Sequence, residues 1–82
     1  MYFVYVLESV KDGRYYVGAT GDLEDRLKRH NSGQSKSTRL HVPYIIMYTE
    51  SFSTLSEARR RELEIKKRKS RSYIERLIRS KQ

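Results

Sequence analysis

The sequence predicts an α+β fold, in which a small three-stranded antiparallel sheet is flanked by helices. Three short runs of β-branched, aromatic and other apolar residues have the composition of strands, and three capping signals precede stretches with helical spacing. The elements follow in the order β-β-α-β-α-α, which is typical of a sheet with helices packed on it. With 82 residues, the chain is expected to form a single domain over residues 1–82.

The first two strands are expected to form an antiparallel hairpin. Residues 2–7 and residues 15–18 are the two strands, and the Lys-Asp-Gly sequence at residues 11–13 is a turn signal between them. The sequence does not determine their register. Whether Tyr5 and Tyr16 share a face of the sheet therefore stays open at this level.

A helix, a loop and a third strand come next. Asp22 opens the first helix, with Asp25 three residues on as a partner in a capping-box-like pattern. The Asn-Ser-Gly sequence at residues 31–33 ends this helix, and the polar stretch of residues 33–42 is a loop. Residues 44–49 are the third strand.

Two further helices complete the chain. Thr54 and Glu57 form the capping-box pattern at the start of the second helix, which runs into a basic stretch at Lys66. Residues 72–75 start the third helix, and residues 73, 74, 77 and 78 form its apolar stripe.

The positive charge is concentrated at the end of the chain. The net charge is +8, although residues 1–57 contain seven Lys or Arg and seven Asp or Glu. Residues 58–82 contain eleven Lys or Arg against three Glu, so this segment is a basic, helical C-terminal part. Such a segment predicts a polyanionic partner, with nucleic acid first and an anionic membrane second. The alternative is a solvated basic helix that contributes only to solubility.

Composition excludes several kinds of site. The chain has no cysteine, which excludes disulfide bonds, Cys-ligated zinc and thiol catalysis. The apolar run of residues 2–7 is too short for a signal peptide or a membrane span. A cytoplasmic protein with no membrane association is the expectation.

The first helix directs two polar side chains inward. At about 100° per residue, Arg26 and His30 share one continuous arc with Leu23 and Leu27. Arg29 lies on the opposite side, so the pattern distinguishes it from Arg26.

The second helix contains an inward carboxylate. On a helical wheel Glu62 falls within the arc formed by Leu55, Ala58 and Ile65. An inward carboxylate is usually protonated, paired with a cation or bound to a metal. Lys66, four residues on, is the candidate for simple pairing.

An ordered set of motifs runs through nearly the whole chain. Phe-Val-Tyr at residues 3–5 and Tyr-Val-Gly at residues 16–18 are followed by Arg26, His30 and Glu62. This set resembles the GIY-YIG nuclease superfamily, with its two signature triplets, its arginine and its metal-binding glutamate. The histidine resembles that of the branch that holds the catalytic subunit of the eukaryotic junction endonuclease and many small stand-alone bacterial proteins.

The resemblance implies a metal-dependent endonuclease that hydrolyses phosphodiester bonds in DNA, of the repair or recombination type. Arg26 would donate to a phosphate oxygen, and Glu62 would hold a single Mg²⁺ or Mn²⁺. Tyr5 is the expected base, with Tyr16 and His30 orienting the water or relaying its proton, although these roles can be exchanged. Because a free phenol has a pKa of about 10, the cations are expected to lower that of the base.

Basic residues near the second and third helices are expected to hold the nucleic-acid backbone. They are Lys66, Lys67, Arg68, Lys69 and Arg71. Contacts of this kind are independent of sequence, and no separate DNA-reading module is visible. Low sequence specificity is expected, with structure-selective cleavage or a protein partner that supplies specificity.

Two rival functions remain open. The first is a nucleic-acid-binding protein that uses this fold without cutting. Two departures favour it slightly: Ala19 stands where repair members carry lysine, and the asparagine that many members carry after the glutamate is missing, since Asn31 is the chain's only asparagine. The second is a basic domain that docks on an acidic protein or an anionic lipid.

Overall fold

Three strands and three helices follow one another in the predicted order. The computed structural model describes residues 1–33, 36, 39–68 and 70–80. The elements are β1 (Tyr2–Ser9), β2 (Tyr15–Thr20), α1 (Leu23–Asn31), β3 (Tyr44–Phe52), α2 (Leu55–Arg68) and α3 (Arg71–Ser80), with a short 3₁₀ turn at Arg39–His41 before β3. This confirms the α+β prediction. All three strands are longer than predicted, because the pairing between them continues past the apolar runs.

The sheet has the order β2-β1-β3, with β1 at its centre, and both pairs are antiparallel. In the β1–β2 pair, Tyr5 lies opposite Gly18 and Leu7 lies opposite Tyr16. Residues directly opposite one another point to the same face of a sheet, as do residues two apart along a strand. Tyr5 and Tyr16 therefore share a face, which answers the question that the sequence left open.

Helices cover both faces of the sheet, and each face has its own apolar cluster. The face covered by α2 and α3 buries Val4, Val6, Val17, Tyr48, Ala58, Ile65 and Ile78. The opposite face, covered by α1, buries Tyr5, Leu7 and Tyr44, with Tyr16, Leu23, Leu27 and Val42 partly buried around them. β1 is thus buried on both sides, which explains its almost continuous apolar sequence.

Side-chain hydrogen bonds determine where α1 begins and ends. The Asp22 carboxylate accepts a hydrogen bond of 3.0 Å from the Asp25 backbone N–H, as the capping pattern predicted. At the other end Gly33 has a φ of +81°, a conformation that favours glycine. Asn31 then joins α1 to β3, because its side chain donates to the Tyr44 carbonyl (3.2 Å) and accepts from the Tyr44 N–H (2.7 Å).

The starts of α2 and α3 are also capped. The Thr54 hydroxyl accepts a hydrogen bond of 3.2 Å from the Glu57 N–H, as predicted. α3 begins at Arg71 rather than at Ser72, because the Ser70 hydroxyl accepts a hydrogen bond from the Tyr73 N–H and so serves as the cap. Within the described part of the chain, none of the helices has the length and apolar character that crossing a bilayer requires.

The buried side of α2 is rotated slightly from the predicted arc. Ala58 and Ile65 are fully buried, whereas Leu55 at the start of the helix is 37 % exposed. Arg61 was not predicted as a packing residue, but its guanidinium is half-buried and donates to the Glu50 carboxylate of β3 at 3.1 and 3.2 Å. This ion pair joins α2 to the edge strand β3.

Replacing Arg61 with alanine should destabilise the fold. Arg61 and Glu50 are each only 22 % exposed, so the substitution removes a cation that is paired with a half-buried carboxylate. We expect a loss of about 2 kcal/mol in the free energy of unfolding, below the roughly 3–5 kcal/mol of fully buried pairs. Urea denaturation measures it. Arg60→Ala, at an exposed neighbour, is the control and should change stability by less than about 0.5 kcal/mol. Equal effects of the two substitutions would contradict the role of the pair.

Candidate nuclease site

An aromatic and imidazole cluster lies on the α1 face of the sheet. Tyr5 of β1 is 1 % exposed and His30 of α1 is 3 % exposed. The Tyr5 hydroxyl and His30 Nε2 are 3.2 Å apart, within hydrogen-bonding distance. The Tyr16 ring packs edge-to-face with the imidazole of His30, with 4.7 Å between the ring centroids. The centroid of the Tyr44 ring lies 6.3 Å from that of the imidazole. The cluster therefore brings together three of the residues predicted for the site.

Gly18 determines the direction of the Tyr5 ring. The ring crosses from the central strand over the backbone of β2, where a Cβ at Gly18 would lie only 2.6 Å from Tyr5 Cζ and closer still to the hydroxyl. Only a residue without a side chain permits this approach. The phenol consequently reaches the β2 edge of the sheet instead of pointing straight out from β1.

Arg26 lies beside the cluster, one helical turn before His30. It is half-buried, and its guanidinium is close enough to Tyr5 to lower the pKa of the phenol. Arg29 is exposed and pairs with Asp25 on the outer side of α1, at 2.9 Å. The helical spacing had predicted this difference between the two arginines, and the burial of their side chains confirms it.

Glu62 approaches the same edge from the opposite face of the sheet. α2 packs against β2 and β1, and the Glu62 side chain is 17 % exposed. Its carboxylate is close enough to raise the pKa of the Tyr5 phenol. Glu62 Oε2 is also 2.6 Å from the Lys66 ammonium, so the simple pairing that the sequence allowed is present.

Burial dominates the ionisation of Tyr5. Desolvation, together with the neighbouring Tyr16 and Glu62, raises the pKa of the phenol to about 12 against the lowering effect of Arg26. Arg26 lowers the pKa of this tyrosine, as expected of a cation, but burial has the larger effect in the protein alone. A guanidinium on one side does not compensate for the loss of water around a side chain buried on every side.

His30 is neutral at physiological pH. Burial lowers its pKa below the usual value, and the positive charge of Arg26 lowers it further. His30 Nε2 lies 3.2 Å from the Tyr5 hydroxyl, and the tautomer of the neutral imidazole determines which of the two donates the hydrogen bond. Tyr5 thus lies beside two side chains that were predicted for the site, Arg26 and His30.

The donor set fits one weakly held divalent cation. Among the described residues, no three His, Cys, Asp or Glu side chains gather into a metal cage. Glu62 is an oxygen donor at a partly exposed position, and the Lys66 ammonium beside it shows that the carboxylate attracts a cation. A single carboxylate suits Mg²⁺ or Mn²⁺, which keep most of their water ligands.

The predicted nucleic-acid-binding residues have different surroundings. Lys66 and Arg71 line a groove beside Tyr16. The Arg68 guanidinium lies 4.8 Å above the Tyr73 ring, between α2 and α3, whereas Lys67 is exposed. Lys69 lies outside the described residues.

Two groove residues were not predicted from the sequence. Arg14 and Tyr15 line the groove together with Lys66 and Arg71. The signal that could have found Tyr15 is its place next to Tyr16 in a strand, because adjacent residues point to opposite faces. That alternation puts one tyrosine with the histidine cluster and the other with α3.

Comparison with protein families identifies a relationship over most of the chain. Residues 1–75 match the family model described as the GIY-YIG catalytic domain.

Small proteins from archaea and bacteria are similar along most of their lengths. A UPF0213 protein of Halobacterium salinarum is 48 % identical over 67 residues, which cover 80 % of this chain and 86 % of the relative. The UPF0213 protein YazA of Bacillus subtilis is 40 % identical over 85 residues, covering 99 % and 85 %. The solution NMR structure of a UPF0213 protein from Bacillus halodurans matches with a TM-score of 0.61 and 41 % identity, covering 99 % of this chain and 86 % of that one.

Gly18→Ala should displace Tyr5 and destabilise the fold. The new Cβ overlaps the phenol ring, which is buried. We expect a loss of about 1–3 kcal/mol, the usual range for overpacking. Urea denaturation measures the loss, and the tyrosine absorbance spectrum reports the moved ring. The control is Gly21→Ala, whose Cβ would meet only the edge of Tyr2 at 3.3 Å; it should cost less than about 0.5 kcal/mol. A wild-type melting curve for Gly18→Ala would contradict the close approach.

Acidification should destabilise the protein through His30. In the unfolded chain histidine takes up a proton at a pH of about 6.5, whereas the folded state resists that proton because the pKa of His30 is lowered. The contribution of His30 to the free energy of unfolding is therefore fully present above the pKa of histidine in the unfolded chain. It decreases as the pH falls towards the pKa of His30 in the folded protein. We expect His30→Gln to flatten the dependence of the unfolding free energy on pH between 7 and 5, as measured by urea denaturation. An unchanged slope in His30→Gln would assign the effect to another group.

Proposed function

Because the chain belongs to the GIY-YIG catalytic domain family, we propose that it is a metal-dependent endonuclease that hydrolyses phosphodiester bonds in DNA. A GIY-YIG domain implies nuclease activity, and a nuclease acts on nucleic acid. The observation that carries the proposal is the convergence of a guanidinium, an imidazole, two phenols and one carboxylate at the β2 edge. Hydrolysis needs an oriented water, charge stabilisation at the phosphoryl oxygens and help for the leaving oxygen.

Arg26 is assigned to the phosphate. Its guanidinium stays protonated at any physiological pH and presents a planar set of donors that matches phosphate oxygens. The guanidinium lies beside the Tyr5 phenol, and its half-buried position leaves donors that can face a substrate. A donor held in advance stabilises developing charge without reorganisation.

The two tyrosines are assigned different roles. Tyr5 is 1 % exposed and has a pKa of about 12, so it positions His30 and Arg26 and stays protonated. Tyr16 is only half-buried and is one of the residues that line the open groove, so it is the tyrosine of the two to which water has access. We therefore assign the orientation and activation of the attacking water to Tyr16, with His30 supporting its ring.

Glu62 is assigned to a single Mg²⁺ or Mn²⁺. GIY-YIG nucleases generally depend on a divalent metal. When bound, the cation would polarise the phosphate, stabilise the leaving oxygen and favour the phenolate of a nearby tyrosine. The chain's own part is to hold the carboxylate at the site's edge and to release it from Lys66. Lys66 then becomes available to the phosphate backbone.

The finer features of the activity follow from the charges on the surface. Lys66, Lys67, Arg68, Lys69 and Arg71 are assigned to the phosphate backbone, which carries no sequence information. We propose low sequence specificity, a choice of substrate by its structure or through a protein partner, and a role in repair or recombination. Residues 1–82 form the single domain that this activity requires.

A nucleic-acid-binding protein without catalysis is the second candidate. The Glu62–Lys66 ion pair favours it, because the carboxylate already has a cation at 2.6 Å. Ala19 favours it as well, since it packs on the apolar cluster under α2 and α3 and offers no charge to the site.

Cleavage should depend on Glu62 and Arg26 but not on their outward neighbours. We expect wild-type protein with Mg²⁺ or Mn²⁺ to cut at least one of a panel of labelled single strands, hairpins and flaps. Glu62→Gln and Arg26→Ala should each lower the single-turnover rate by about 100-fold or more, as the loss of a charge-stabilising group does. Gel electrophoresis of the products measures the rate.

Matched controls separate a catalytic role from a general loss of charge. Glu64→Gln on α2 and Arg29→Ala on α1 change the same residue types at exposed positions and should keep the wild-type rate. Binding of uncut DNA should persist in all four variants. Binding without cleavage under either metal would decide for the second candidate.

A further inference from the structure

A groove opens directly beside the candidate site, between β2 and the start of α3. It has a volume of about 540 Å³, within the roughly 300–1,000 Å³ of pockets that take small molecules. Its lining includes Arg14, Tyr16, Ile65, Lys66, Arg71 and Ile74. Two of these residues also belong to the site, because Tyr16 contacts His30 and Lys66 pairs with Glu62. The groove therefore lies next to the site and shares two residues with it.

The groove combines an apolar floor with a cationic rim. Val17, Ile65 and Ile74 are apolar residues of its wall, whereas Arg14 and Lys66 are exposed and positively charged. A phosphate group alone would gain nothing from the apolar floor, and an uncharged apolar ligand would gain nothing from the cations. A nucleotide has both a flat, weakly polar base and an anionic phosphate, so it matches the two parts together.

Three contacts hold the guanidinium of Arg71 in this groove. Its guanidinium lies 4.6 Å above the centre of the Tyr15 ring, and Nη1 donates a hydrogen bond of 2.9 Å to the Gly13 carbonyl. A further contact of 3.6 Å joins its Nε to Glu75. These partners hold the guanidinium plane in one orientation, although the side chain is 57 % exposed. Exposed guanidinium planes are surfaces on which unpaired bases stack.

We infer that the groove binds one unpaired nucleobase next to the scissile phosphate, stacked on Arg71. The inference rests on the proposed nuclease function and adds a substrate class to it: DNA with an unpaired nucleotide at the cleavage site, such as a single strand or a flap. A base within a duplex is stacked between its neighbours and cannot enter the groove without being extruded. Arg71 thereby acts as a base-stacking residue and not only as a contact to the backbone.

Removing one base from the DNA tests this contact. Binding of labelled single-stranded DNA of about 15 nucleotides, near the upper end of typical single-strand sites, is measured by fluorescence anisotropy in EDTA, so that no cutting occurs. An abasic residue is placed at one position after another. For the wild type we expect one position at which the missing base weakens binding about tenfold, in the range of base stacking.

Two substitutions at Arg71 separate stacking from charge. Arg71→Gln removes both, and Arg71→Lys keeps the charge but lacks the planar guanidinium. In both variants the abasic position should have less than about a twofold effect, because the stacking partner is already gone. Arg71→Lys should keep the wild-type dependence of binding on salt, which reports phosphate contacts. Arg76→Gln, an exposed arginine on the same helix, should retain the tenfold effect of the missing base.

The outcomes distinguish this inference from the proposed function. The groove inference is overturned if no abasic position matters, if Arg71→Lys retains the full base dependence, or if only duplex DNA binds. Cleavage of paired and unpaired DNA at equal rates, without base dependence, would contradict base binding in the groove but support the nuclease function. Base-dependent binding without cleavage under Mg²⁺ or Mn²⁺ would contradict the nuclease function but support base binding in the groove.

Discussion

The close passage of the Tyr5 ring over Gly18 is the contact on which the candidate site depends. It carries the phenol of the central strand across to the edge strand β2. At that edge, side chains from both faces of the sheet come together: Arg26 and His30 descend from α1, and Glu62 reaches over from α2. A side chain at Gly18 would push the ring away, and the two faces would lose their common partner.

Burial and charge act against each other at this contact, and burial prevails. The side of the site that faces the core contains Tyr5 and His30, whose pKa values are shifted towards the neutral forms. The side that faces the groove contains Tyr16 and the Glu62–Lys66 pair, where water has access. This difference in burial separates the groups that position other side chains from the groups that can contact a substrate. It explains why two tyrosines of similar local sequence are suited to different tasks.

The basic C-terminal segment is not one uniform charged surface. Arg61 is paired with Glu50 and stabilises the packing of α2 on β3, and Arg68 lies on the Tyr73 ring. Arg71 is held by Tyr15 and Gly13 in the groove. The net charge of +8 therefore overstates the number of cations that face a nucleic acid. Shape and apolar contact, rather than charge alone, become the basis for choosing a substrate.

Local sequence by itself determined the elements, their order, the caps at Asp22 and Thr54, and the inward direction of Arg26. All of these depend on hydrogen bonds and spacing within one or two helical turns, which a linear sequence displays directly. Only the tertiary structure decided the β1–β2 register, the burial of Arg61 and the raised pKa of Tyr5. Each depends on partners distant along the chain, and so does the contact between Arg71 and Gly13, which are 58 residues apart. Packing brings such residues together, and no local periodicity records which of them will meet.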